Sequence, residues 1–149
     1  MEAVGFASSL LTLVEVSGKI VLACYKYHQD IKSAKEDITR IRSEATSIRS
    51  VAERLLEMTS RMTGATLPTL RALCDSDGLL DSFLKDLKDL SLSIEPPSEK
   101  MKKLVFILKW PLTKSETEKS LVAMGRIKAT LQLALAADTA FVNVFVLNK

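Results

Sequence analysis

Few residues of this 149-residue chain have the side chains that catalysis requires, and those few are scattered. His28 is the only histidine. A Ser-His-Asp set needs a nucleophile on a sharp strand-to-helix turn, and no such context surrounds it. Cys24 and Cys74 are far apart and lack the short pairing of a zinc site or the density of a disulfide framework. The five glycines (positions 5, 18, 64, 78 and 125) never cluster, so no backbone loop is available to cradle a phosphate. Asp75-Ser76-Asp77-Gly78 superficially resembles a calcium loop, but its glycine comes too early and no ligand set follows at the required spacing. Most remaining carboxylates alternate with Lys and Arg, the ordinary pattern of solvated helix faces. The chain therefore reads as non-enzymatic, with no catalytic residue, no metal site, no cofactor and no small-molecule substrate.

Composition and charge narrow the class further. A hydrophobic fraction of 47% with only four prolines suits one compact, helix-rich domain. The net charge is +3, yet residues 100–128 carry eight Lys/Arg against Glu116 and Glu118, so the remainder is mildly acidic. Within that basic segment Lys100, Lys102 and Lys103 form a cluster suited to anionic lipid headgroups or an acidic partner, although a solvated helix face is the simpler account. Five Phe, two Tyr and one Trp fall mostly at apolar positions, so the interleaved basic and aromatic surface of a nucleic-acid binder is missing. Met1 and Glu2 supply no positive n-region for a signal peptide. With only two unpaired cysteines, the expected location is cytoplasmic.

The elements follow from periodicity. Ala3 to Cys24 is nearly uncharged, interrupted only by Glu15 and Lys19, which are spaced to pair across one helical turn. A helix apolar on all sides belongs in the middle of a bundle or in lipid. From Ser33 and Glu36, a capping-box pattern, Ile38, Ile41, Ala45, Ile48, Ala52, Leu55, Met58 and Met62 recur every three or four residues, predicting a long amphipathic helix. Leu67-Pro68 opens a short helical piece. Asp77 is the expected cap of a further helix with the stripe Leu80, Phe83, Leu84, Leu87 and Leu90, stopped by Pro96-Pro97. A short basic helix is expected from Ser98 to Lys109, ended by Trp110-Pro111, to which we assign a structural role. Thr113 with Glu116 gives a second capping box. The last helix then carries Leu121, Met124, Ile127, Leu131, Ala134 and Leu135 up to Asp138. An all-α antiparallel bundle of about five helices is the economical arrangement. It fills residues 1–138, with 139–149 as a short apolar tail read as an added turn or a frayed terminus.

Several of these pieces, taken in order, resemble the HeLo-like N-terminal domain of fungal STAND (NACHT-type, NLR-like) proteins. They are Gly5-Phe6-Ala7-Ser8-Ser9, Lys35-Glu36-Asp37-Ile38, Asp77-Gly78-Leu79-Leu80, Trp110-Pro111-Leu112 with Glu116, and Leu133-Ala134-Leu135-Ala136-Ala137-Asp138. The resemblance covers residues 2–138, and the sequence ends eleven residues later, where that family continues into an NTPase or a linker to an amyloid signalling motif. It implies a cytosolic signalling module of fungal innate-immunity or heterokaryon-incompatibility type, some of whose relatives execute programmed cell death. In that picture oligomerisation frees the first helix to enter the plasma membrane. Ala3, Val4, Gly5, Phe6, Ala7, Leu10, Leu11, Leu13 and Val14 would be the inserting residues, with Lys100, Lys102 and Lys103 at the headgroups. The rival expectation is an adaptor or oligomerisation domain that keeps its first helix in place and acts only through helix–helix contacts. Glu15 in mid-helix favours this rival, because a central acidic residue opposes insertion by about 2.5–3.5 kcal/mol. The partners expected are thus a helical protein or a second copy, with an anionic membrane as the alternative surface, and no nucleic acid.

Overall fold

The computed structural model describes residues 2–30, 34–61, 67–75, 78–97 and 109–145. These form five α-helices: α1 (Glu2–Asp30), α2 (Lys35–Arg61), α3 (Pro68–Asp75), α4 (Leu79–Ser93) and α5 (Lys114–Phe145). No strand occurs among the described residues. The architecture is an all-α helical bundle. Helices α1, α2, α5 and α4 make a closed ring in which α1 packs on α2 and α4, and α5 packs on the same two. The pairs α1/α5 and α2/α4 thus face each other diagonally across the core, and α3 packs against α1, α4 and α5.

Each predicted stripe supplies one wall of the core. Ile38, Ile41, Ala45, Ile48, Ala52 and Leu55 of α2 are fully buried, joined by Val51. Leu80, Phe83, Leu84, Leu87 and Leu90 of α4 and Met124, Ile127, Leu131 and Ala134 of α5 are buried as their spacing requires. Met58, Leu121 and Leu135 lie at the rim of the cluster. The last helix does not stop at Asp138 but continues to Phe145, so residues 139–145 are helical turns added to the bundle.

Helix punctuation was harder to read. The Thr113–Glu116 box forms: Glu116 N–H donates to Thr113 Oγ1 at 3.1 Å, and the Thr113 hydroxyl donates to Glu116 Oε1 at the same distance. Asp77, expected to cap α4, lies outside the described residues. The helix begins from Gly78, whose φ of 68° is left-handed and comes with no side-chain cap. Ser33 also lies outside, as do Met62 and residues 98–108 with their expected short helix. In α2 the first backbone hydrogen bond runs from Ile38 N–H to the carbonyl of Ala34, at 2.9 Å.

Two tertiary interactions lock the α2–α5 wall. Arg40 donates to both carboxylate oxygens of Glu118, at 2.6 and 3.3 Å, and Lys128 meets Glu44 Oε1 at 2.8 Å in a half-buried setting. A third ties α5 to α3. Asp138, 0% exposed, accepts the backbone N–H groups of Thr69 at 2.9 Å and Leu70 at 3.0 Å. These are the amides that the first turn of any helix leaves unpartnered, and the local residue at that position, Leu67, has no side-chain acceptor. A carboxylate from α5 does the work of the missing cap.

Replacing Asp138 with Ala strands two amides in the interior and should lower the unfolding free energy by about 1–3 kcal/mol in urea titration. Ala34 sits at φ 60°, a region costly for any residue with a Cβ. Ala34→Gly should therefore raise stability by about 1 kcal/mol in the same assay.

Candidate functional site: the two faces of helix α1

Helix α1 was expected to be buried on all sides at the centre of the bundle, and the structure corrects this. Placed at one corner of the ring, it has neighbours on one side only. Leu10, Leu13, Val16, Ser17, Ile20, Ala23, Cys24 and Tyr27 are buried. Ser8, Leu11, Glu15, Lys19, Leu22, Tyr25, Lys26 and Gln29 face solvent. The buried Ser17 hydroxyl bonds back to the carbonyl of Leu13, which satisfies it without leaving the helix. Glu15 and Lys19 are both exposed and form no ion pair with each other, so the pairing allowed by their spacing is not made.

The residues assigned to membrane insertion therefore divide. Leu10 and Leu13 are at 0% exposure in the core, Ala7 and Val14 are half-buried, and Leu11 is the one among them that is open to solvent, at 48%. The side chains of Ala3, Val4, Gly5 and Phe6 lie outside the described set, as do Lys100, Lys102 and Lys103. By length and composition Ala7–Gln29 is the one candidate membrane span among the described residues, with a mean hydropathy of 1.5.

Trp110 links the end of α1 to the start of α5. The Trp110 ring meets Tyr27 edge to face, with centroids 5.2 Å apart and planes at 87°. Its indole N–H donates to Thr117 Oγ1 at 3.4 Å, and Thr117 is fully buried. Pro111 is exposed beside it. His28 is half-buried at the polar end of α1, and no group of His, Cys, Asp and Glu with metal-binding geometry occurs among the described residues.

What the sequence left undetected is the groove between α1 and α4, about 300 Å³, lined by Lys19, Leu22, Lys26, Leu92, Glu95 and Pro96 among others. Leu22 and Leu92 are 64% and 70% exposed, among the most open apolar side chains in the molecule. Leu92 lies two residues beyond Leu90, off the apolar stripe of α4. That offset was the only sequence signal available for it.

Cys24 is a packing residue. Burial pushes its thiol up to about 12, partly offset by the positive charge of Arg42. Burial likewise raises the Tyr27 phenol, with proximity to Cys24 adding to the shift. A raised folded-state value means that the stabilising protonated form persists below about pH 9 and is lost as pH climbs toward 12. Between these limits the wild type should lose up to about 1.4 kcal/mol per pH unit more than Cys24→Val in pH-stepped urea titrations. In a Cys74→Ser background, the thiol should react with iodoacetamide at neutral pH only after unfolding.

No family model matches the chain, and no match was found among curated proteins or solved structures.

Proposed function

We propose that this chain is a cytosolic, non-enzymatic signalling module that acts through contacts made by its helix surfaces while α1 remains in the bundle. The observation that carries this reading is the division of α1. Its inner face contributes Leu10, Leu13, Val16 and Ile20 to the core. Extracting these four would forfeit about 6–12 kcal/mol of burial. A whole domain has only about 5–15 kcal/mol in hand, so keeping α1 in place is favoured by an amount comparable to the stability of the whole bundle. Its outer face offers Leu11, Leu22 and Tyr25 to a partner without disturbing any of this. The resemblance to HeLo-like domains supports the same class, an N-terminal signalling bundle, and supplies the fungal, STAND-receptor setting of the proposal.

Release of α1 into a membrane is the second reading. Its specific support is the apolar length of Ala7–Gln29, sufficient to cross a bilayer. It requires the lipid to replace the lost core and to accept Glu15, Lys19 and Lys26 near the hydrocarbon.

Native-state hydrogen exchange distinguishes the two readings. With α1 an integral wall, the amides of Leu10–Tyr27 should exchange through the same global opening as those of Ile38–Leu55, with and without vesicles of anionic lipid. Exchange of α1 through a separate opening of much lower free energy, deepened by the vesicles and accompanied by dye release, would make insertion the working model.

A further inference from the structure

We infer that the groove between α1 and α4 is a docking site for an amphipathic helix of acidic character from another protein. This rests on the reading that α1 stays in the bundle, because α1 forms one wall. The apolar lining of the groove comes from Leu22 and Ala23 on α1, Leu92 on α4 and Pro96 just beyond it. Leaving two leucines 64% and 70% exposed within one concavity is the reverse of what solubility favours. An amphipathic helix laid along such a groove would cover both leucines with its apolar face.

Charge selects the occupant. Lys19 and Lys26 lie one turn to either side of Leu22 on the α1 lip, and neither makes an ion pair among the described residues. A helix seated on the leucines would place its acidic residues against these two ammonium groups. Glu95, on the opposite wall and likewise unpaired, calls for a neutral or basic residue along the other edge of the ligand. An anionic membrane fits less well. A bilayer surface presents nothing convex to fill a cleft, and Glu95 opposes its charge.

The test uses the full chain, labelled for NMR, and a synthetic peptide of about five helical turns with a leucine ridge and glutamates along one edge. A second peptide of the same ridge has lysines in place of the glutamates. The acidic peptide should bind in a salt-sensitive manner, shifting resonances of Leu22, Leu92 and their neighbours. Lys19→Glu with Lys26→Glu should weaken it at least about tenfold and reverse the preference toward the basic peptide. Leu22→Ala or Leu92→Ala, surface changes that leave the core intact, should each weaken binding about fivefold to tenfold. Equal binding of both peptides, or shifts located elsewhere, would overturn the proposal. So would phosphatidylserine vesicles binding through Lys19 and Lys26 while the peptide does not. Hydrogen exchange recorded on the same samples separates the two levels of inference: an empty groove beside a protected α1 defeats only the docking site, whereas loss of α1 protection defeats the reading beneath it.

Discussion

Everything in this fold depends on burying one side of α1 against α2 and α4. That contact closes the ring. The apolar side chains at 0% exposure on α1 (Leu10, Leu13, Ile20 and Cys24) share one core with the equally buried isoleucines of α2. Remove α1 and Ile38, Ile41 and Ile48 become a surface, as does the inner face of α4. The same contact fixes which part of α1 is left for function, since a helix at a corner of a ring must show its other side to water.

The remaining walls are held by polar interactions that the core alone would not specify. Aliphatic stripes tolerate sliding by a turn, whereas a carboxylate matched to a guanidinium does not. Arg40 with Glu118 and Lys128 with Glu44 fix the register of α2 on α5. The first pair is exposed and worth little in stability, consistent with a role in alignment. The guanidinium of Arg40 holds the Glu118 carboxyl below its usual range through a direct hydrogen bond. The second pair is more enclosed and leaves Glu44 Oε2 buried without a hydrogen-bond partner among the described residues. Asp138 completes the set by capping α3 from a distant helix, so that the short α3 takes its starting point from α5. The Trp110–Tyr27 edge contact adds an aromatic link between the end of α1 and the approach to α5.

These constraints bear on the two functional readings differently. A releasable helix should be held by few contacts and end in a hinge. In contrast, α1 is packed from Leu10 to Tyr27, and its last buried residue is anchored by Trp110. Surface recognition asks only that side chains already exposed find a partner, and the α1–α4 groove presents such side chains in concave form.

Much of the architecture was legible in the sequence because it is written in local periodicity. The stripes of α2, α4 and α5 recur every three to four residues, and a helix with one apolar stripe has a single way to face a core. Thr113 and Glu116 identified a helix start because a capping box is complete within four residues. Helix α1 defeated the same procedure. Ser8, Glu15, Lys19, Lys26 and Gln29 mark its outer face at helical spacing, but apolar residues on nearly every side mask that signal, and packing against α2 and α4 puts Leu10 and Leu13 inside while Leu11 and Leu22 stay out. Asp138 was visible as the end of a stripe and not as a cap, because its partners Thr69 and Leu70 are some seventy residues away. The groove, too, arises from two helices brought side by side, and no spacing along either one encodes it. The sequence by itself determined the helices and most of the core, through short-range periodicity and capping. Tertiary packing decided how much of α1 is covered, what caps α3 and where the groove between α1 and α4 opens, because each of these depends on residues far apart in the chain.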